Sequence, residues 1–545
     1  VSKSAWGRVR RLSGTLVVTG ALVALPVTAA TAEDTPTPAQ VGAVPPVQWT
    51  SCPASSLPGV PPDQAGQFSC ATYRVPIDHD NAALGTIDLA LLKRAAAKPD
   101  QRIGSLFLNP GGPGGPGLTT PIRAVNYFDP VVLERFDTIG FDPRGVGASS
   151  PLRCFTTAED AQDVLGPQVG VPLSQREISA TLASYRDYGQ FCKRNAGALT
   201  EHMSTRDVVR DLDLLRAAVG DPKLNFVGFS YGTLIGATYA NMFPKTARAL
   251  VLDGNVDPEL RTSDGLQYDR ERAKGFEISL DGFLTRCQEA GAKCAFSAGQ
   301  PREKFDELRT YLHQQPLALP DGATLDISRF TSGVSGALYS PEAFGSLATE
   351  LQRIYDLLHP PAGQAPPKFT AQHLTTLLNP PHNARFDRGD SPYLGDDSYF
   401  AVNCSDKPFF HPQEETPAIA AKWERESPTF GRSQAFSDAA ACPVWPMRNF
   451  DAAYRGPWNK STENPVLVVG NYFDPATQYK FAKRMADQLG NARLLSVDAF
   501  GHCILGSSAG VDKATADYLV DLKAPAPAQV FQPDTQPFDP PASPS

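Results

Sequence analysis

The chain has 545 residues, too many for one ordinary domain and comfortable for a large domain carrying an insertion. Its 50 Lys and Arg against 58 Asp and Glu leave a net charge of -8, which argues against nucleic acid or another polyanion as partner and says little about substrate. Nine cysteines without a Cys-x-x-Cys pair, and eight scattered histidines, argue against a structural zinc site.

At the start, Arg8, Arg10 and Arg11 precede an apolar run from Leu12 to Ala29, interrupted by Gly14, Gly20 and Pro26. Ala30-Thr31-Ala32 then offers a small-x-small cleavage site before Glu33. This reads as a secretory signal over residues 1–32, followed by a propeptide or linker over 33–45. A membrane anchor is the rival, but the run is short and broken, and no later stretch is long enough to span a bilayer. The expected destination is extracellular, with no membrane association after signal removal, and the cysteines suit an oxidising compartment. In chain order they fall into neighbours: Cys52/Cys70, Cys154/Cys192, Cys287/Cys294 and Cys404/Cys442, with Cys503 left over. Order does not fix connectivity, so other pairings stay open.

Residues 71–77 and 86–93 alternate as strands around an Asp-rich turn and suit the antiparallel start of a mixed sheet. Gly104 to Leu108 is a buried-type strand. It runs into Asn109-Pro110-Gly111-Gly112-Pro113-Gly114-Gly115-Pro116-Gly117, five glycines in nine residues. A phosphate cradle is the first rival. No Lys-Ser/Thr follows, however, and prolines interrupt the helix that a dinucleotide fingerprint needs. An oxyanion loop after a central strand suits the pattern better. Phe136 to Phe141 is the next strand, ending in Asp142-Pro143-Arg144-Gly145, where Asp142 and Arg144 read as an internal brace. Ser204 or Thr205 caps a helix with Val208, Val209, Leu212 and Leu215 on its apolar side.

Phe226 and Val227 lead into Gly228-Phe229-Ser230-Tyr231-Gly232, and a helix-like segment follows. Between a strand and a helix, Gly-x-Ser-x-Gly is the pattern of a nucleophile elbow. The glycines leave room where strand and helix nearly collide, and the turn exposes the Ser230 hydroxyl beside helix N-terminal amides. Another strand, 249–252, closes the first half of a doubly wound, mostly parallel sheet, residues 46–258.

Residues 259–459 carry helical stretches (268–289, 301–314, 341–358, 416–425) between Pro-rich links at 360–367 and 379–392, with no clear sheet strand. They read as an inserted helical cap that selects substrates and excludes water. The sheet resumes over residues 460–522, with strands at 465–470 and 492–497 and a closing helix near 511–522. The Pro-rich stretch 523–545 reads as a disordered tail.

Ser230, Asp474 and His502 then stand at strand ends in the order Ser, Asp, His. That is the order of an α/β-hydrolase triad. His502 would act as general base and then general acid, and Asp474 would hold the tautomer and stabilise the imidazolium. Asp498 and Asp253 are the competing acids: the first is too near His502 in sequence, the second follows the strand after the nucleophile. Tyr231 N–H should be one oxyanion donor and Gly112 N–H the other, with Gly111 an open alternative. Loss of one such donor costs about 3 kcal/mol.

Taken together, the elbow, Asn-Pro-Gly-Gly-Pro-Gly (109–114), Asp-Pro-Arg-Gly-x-Gly-x-Ser (142–149), Gly-Asn-x-x-Asp-Pro-x-Thr (470–477) and Gly-His-Cys (501–503) resemble the secreted tripeptidyl aminopeptidases of Streptomyces and related actinobacteria. These are α/β-hydrolase serine peptidases that include prolyl aminopeptidase. The resemblance spans about residues 46–522, and the C-terminal third is similar to the segment often labelled TAP-like. It implies Ser230, Asp474 and His502 as nucleophile, acid and base. It also implies release of short peptides from free N-termini. An exopeptidase needs an anion for the substrate ammonium, and Asp406, Glu424 and Glu426 in the cap are the candidates.

The expected protein is therefore a secreted serine exopeptidase with an inserted helical cap, working through an acyl-enzyme on peptides with a free N-terminus. It needs no metal or organic cofactor. An inhibitor or the propeptide is the other partner left open, as is the oligomeric state. Alternatives are a prolyl aminopeptidase-like enzyme, a carboxylesterase or lipase on the same scaffold, and a non-catalytic secreted binding protein.

Overall fold

The structure, a computed structural model, describes residues 44–360, 369–378, 397–446 and 449–539. The expected signal (1–32), the 33–45 segment up to residue 43, most of the 360–367 link and all of the 379–392 link lie outside the described residues.

Twelve strands are described: β1 (Thr50–Ser51), β2 (Phe68–Pro76), β3 (Thr86–Arg94), β4 (Gly104–Asn109), β5 (Phe136–Phe141), β6 (Leu224–Phe229), β7 (Ala247–Asp253), β8 (Leu317–Ala318), β9 (Thr324–Leu325), β10 (Val466–Phe473), β11 (Ala492–Phe500) and β12 (Val530–Phe531). Ten form one sheet in the order β1-β2-β3-β5-β4-β6-β7-β10-β11-β12. Pairing from β1 through β3 to β5 is antiparallel, and from β5 onward it is parallel.

The parallel strands bury both faces, which is why β4 and β6 read as continuous apolar runs. Side chains still alternate. Leu106, Leu108, Val227, Val251, Leu467 and Val469 pack on one face with Val511, Tyr518 and Leu519 of helix Ala509–Asp521. Phe107, Phe226, Leu252 and Val468 pack on the other with Leu212, Leu215, Leu234 and Ile235. Leu212 and Leu215 sit on helix Thr205–Ala218, and Leu234 and Ile235 on helix Gly232–Met242. Ser204 caps the first by accepting the Asp207 amide.

Between β7 and β10 the chain leaves the sheet for a large helical insertion. Its helices include Pro258–Ser263, Gly265–Ala290, Pro301–Gln314, Ile327–Leu338, Phe344–Leu358, Ser398–Asp406 and Thr416–Glu426. They enclose a core of their own, with Phe276, Phe283, Phe305, Phe330, Phe344 and Leu351. Helix Ile327–Leu338 was not legible in sequence, because its serines and glycines are poor helix formers; burial of Ile327, Phe330, Val334 and Leu338 overrides that weakness. Among its described residues the insertion adds only the short hairpin β8–β9, two residues in each strand.

The C-terminal stretch corrects one expectation. Residues 523–539 are not simply a polar tail: Val530 and Phe531 add β12 to the sheet edge, opposite Ser496 and Val497 of β11. Phe531 is buried against the apolar cluster beside helix Ala509–Asp521, and that contact outweighs the prolines around it. The disulfides are Cys52–Cys70, Cys154–Cys192, Cys287–Cys294 and Cys404–Cys442, the neighbour pairing, and Cys503 is free.

Candidate active site

Strand β6 ends at Phe229, and Ser230 takes φ 56°, the left-handed region that a serine rarely adopts. Helix Gly232–Met242 starts two residues later, so the reversal is sharp. A Cβ on Gly228 would stand 2.4 Å from the Gly232 carbonyl oxygen, and one on Gly232 would stand 2.8 Å from Asn109 Oδ1. Both glycines are therefore required by close approach. The turn is held by two carbonyls: Ser230 N–H donates to Asp253 O at 2.8 Å, and Thr233 Oγ1 donates to Ser230 O at 2.6 Å.

The glycine loop after β4 lies directly against this turn. A Cβ on Gly111 would stand 2.8 Å from Ser230 Cβ and 3.1 Å from Tyr231 N. Gly111 N–H is already donated to Asn109 Oδ1 at 3.0 Å. The amides of Gly112 and Tyr231 make no backbone hydrogen bond among the described residues. Asp142 anchors the loop's far end: Oδ1 accepts Leu118 N–H at 2.8 Å and Oδ2 accepts Ala148 N–H at 2.7 Å. Arg144, fully buried, forks onto Asp211 at 2.8 and 2.7 Å and donates to the carbonyls of Ile77 and His202. The pair is a brace, as its sequence setting suggests.

Asp474 and His502 come from the ends of β10 and β11. Asp474 oxygens lie 3.0 and 2.9 Å from His502 Nδ1. The carboxylate also accepts the amides of Ala476 and Thr477 at 2.9 and 2.8 Å and the Thr477 hydroxyl at 2.9 Å. Nδ1 is thus engaged, and Nε2 is the nitrogen left for another group. Asp253 and Asp498 do not take that place. Asp253, fully buried, instead accepts the amides of Ile504 and Leu505 at 2.8 and 3.0 Å. Burial pushes its carboxyl up to about 6.

Ser230 and His502 flank one dipeptide. Asp253 O takes the Ser230 amide, and a Cβ on Gly254 would stand 3.1 Å from His502 Cε1. Sequence reasoning missed four supports of the ring. Asn471 Nδ2 donates to the carbonyls of Gly501 and Cys503, Thr477 Oγ1 lies 3.2 Å from Nδ1, and Asp253 holds the next two amides. Tyr339 of the insertion crosses the imidazole edge-on at 5.1 Å and accepts its backbone amide at 2.9 Å. Asn471 and Thr477 lie inside a motif that sequence did single out; Tyr339 carried no local signal.

Beneath the elbow, Tyr231 OH lies 2.5 Å from Thr205 Oγ1, which donates to Asp406 Oδ2 at 2.5 Å. Arg261 lies over the Tyr231 ring. Burial raises the carboxyl of Asp406 despite Arg261 and Thr205, and burial together with Asp406 raises the Tyr231 phenol. The other two sequence candidates stand apart from this cluster. Glu424 accepts a guanidinium fork from Arg432, and Glu426 one from Arg270 at 2.6 and 2.6 Å. This corrects the expectation for Glu424 and Glu426: their charge is already neutralised, and an incoming ammonium would have to displace a two-pronged ion pair.

Among the described residues no group of His, Cys, Asp and Glu is arranged to hold a metal ion, and no helix is long and apolar enough to cross a membrane. Residues 104–288 match the family described as alpha/beta hydrolase fold, and residues 427–531 match that described as TAP-like protein. The chain is 30% identical to serine protease Hip1 of Mycobacterium tuberculosis over 88% of this chain and 90% of that protein. It is 30% identical to carboxylesterase B of the same organism over 84% and 85% of the two chains. Against the tripeptidyl aminopeptidase of Streptomyces lividans it is 28% identical over 84% and 81%. With a parallel sheet, a helical insertion and these relatives, the chain belongs to the serine-hydrolase family of α/β-hydrolases that carry a TAP-like C-terminal region.

Proposed function

We propose that the protein is a secreted serine exopeptidase that removes short peptides, of tripeptide length, from free N-termini. The observation that carries the chemistry is that the Asp474–His502 hydrogen-bonded pair and a serine held at φ 56° both pack against the Asp253–Gly254 dipeptide. Ser230 Oγ attacks the carbonyl while His502 Nε2 takes its proton. Asp474, fixed by two amides and the Thr477 hydroxyl, keeps the proton on Nδ1 and stabilises the imidazolium. The oxyanion falls to the amides of Tyr231 and Gly112, since Gly111 N–H is committed to Asn109. His502 then protonates the leaving amine, and water activated by the same ring releases the acyl group.

Support for the peptidase arm comes from the relatives named as a serine protease and a tripeptidyl aminopeptidase. An equally similar relative named carboxylesterase B supports a second reading, ester hydrolysis at the same serine. Parallel assay of a tripeptide anilide with a free amine and of its acetylated form separates the two. Strong preference for the free amine is expected. Equal turnover, or cleavage of simple esters alone, overturns the exopeptidase reading.

A further inference from the structure

Helix Gly265–Ala290 carries four cations: Arg270, Arg272, Lys274 and Arg286. Three have a carboxylate within 4 Å. Arg270 and Lys274 meet Glu426, and Arg286 meets Asp539. Arg272 has no such partner among the described residues. It is only half-buried, and its Nε donates to the Ala476 carbonyl at 3.4 Å. Among the described residues the Tyr339 phenol is the one further group that its side chain meets by hydrogen bonding.

The surrounding carboxylates are matched elsewhere. Asp269 and Asp438 share the buried Lys407 ammonium, Glu271 meets Lys480 and Arg484, and Asp406 is bonded to Thr205. Arg272 itself is bordered by the phenols of Tyr399, Tyr268 and Tyr339. Tyr339 is the residue that crosses the His502 ring, and Ala476 belongs to the turn that holds Asp474. A guanidinium is always charged at working pH and presents a fork that matches a carboxylate. Among the described residues no carboxylate lies within 4 Å of that fork, which borders the residues around the reacting centre, although Asp269 lies near enough to be felt electrostatically.

We propose that Arg272 is a specificity-determining residue that receives a carboxylate of the substrate next to the Ser230–His502 centre. The proposal rests on that centre being the reacting one, and holds for a peptide or an ester. A charge-assisted contact of this kind favours the charged substrate roughly 10- to 100-fold over its neutral counterpart.

The test uses p-nitrophenyl hemiesters of dicarboxylic acids of increasing length against methyl-ended esters of equal length. A second series places the carboxylate on the leaving group. In the wild-type protein one series is expected to show the charged substrate favoured at least ten-fold in kcat/KM, at one length or position, through KM and with the preference falling as salt rises. Arg272→Gln collapses the ratio toward one, and Arg272→Lys keeps part of it. The assignment is overturned if neither series shows a preference, or if the ratio is the same in Arg272→Gln. Failure of every ester, together with no labelling of Ser230 by a fluorophosphonate, removes the reacting centre and the proposal with it; labelling without charge preference removes the Arg272 assignment alone.

Discussion

Thr477 donates its hydroxyl to Asp474 Oδ2 at 2.9 Å, three residues along a turn whose amides bind the same carboxylate. The turn therefore fixes the carboxylate plane before any histidine arrives. Removing the hydroxyl leaves the two amide bonds and frees one oxygen to rotate. Thr477→Val should lower kcat about ten-fold, with KM little changed and a stability loss of about 1 kcal/mol. Thr477→Ser should restore most of the rate. Steady-state kinetics beside thermal melting check this, and equal rates for Val and wild type would remove Thr477 from the site.

Ser230 sits at positive φ, where any side chain with a Cβ is strained by about 1 kcal/mol or more. Ser230→Ala should abolish turnover and fluorophosphonate labelling while keeping the fold. Ser230→Gly should be equally inactive but melt above Ser230→Ala, because glycine adopts this conformation freely. The reverse order of melting temperatures would contradict the strain.

Asp253 gives a pH signature. Its ordinary carboxyl value of 3.8 is raised in the fold to about 6, first by burial, with the Ile504 and Leu505 amides and His502 opposing and Asp474 adding to it. A raised acid binds its proton more tightly in the native state. The stabilisation is therefore complete below about pH 4 and lost as pH rises through about 6, by about 3 kcal/mol. Asp253→Asn lacks this titration. Stability curves from pH 4 to 8 should show the wild type losing ground to the variant across that window, while activity of the variant falls because the grip on the His502 loop weakens. Parallel curves would refute the shift.

The disulfides should differ in weight. Cys404–Cys442 spans 38 residues and Cys287–Cys294 spans 7. Loop-closure entropy assigns about 4 kcal/mol to the first and about 2.4 kcal/mol to the second. Paired serine replacements, compared by denaturant midpoint, should rank in that order.

Local rules carried the sequence reading a long way. Buried apolar runs, glycines and prolines are legible because strand period and turn chemistry act between near neighbours. They placed β4, β5, β6 and β7, the elbow at Ser230 and the strand ends bearing Asp474 and His502. They favoured Asp474 among the acids without showing its contact. Asp253, Asp474 and Asp498 all stand near strand ends, and only the sheet order, which sets β10 between β7 and β11, gives Asp474 the imidazole and Asp253 the neighbouring amides. Nor could they see the edge strand at Val530, whose prolines argue locally for a tail.

The linear chain thus determined that a serine would be exposed at a strained turn, that a glycine loop would precede it and that an acid and an imidazole would follow in order. Folding in three dimensions decided which amide is free, Gly112 rather than Gly111, and brought Tyr339 of the insertion onto His502, with Arg272 beside Tyr339. The physical reason is range: backbone conformation is set by residues a few positions apart, whereas hydrogen-bond partners and charge balance are set by segments hundreds of residues away in the chain.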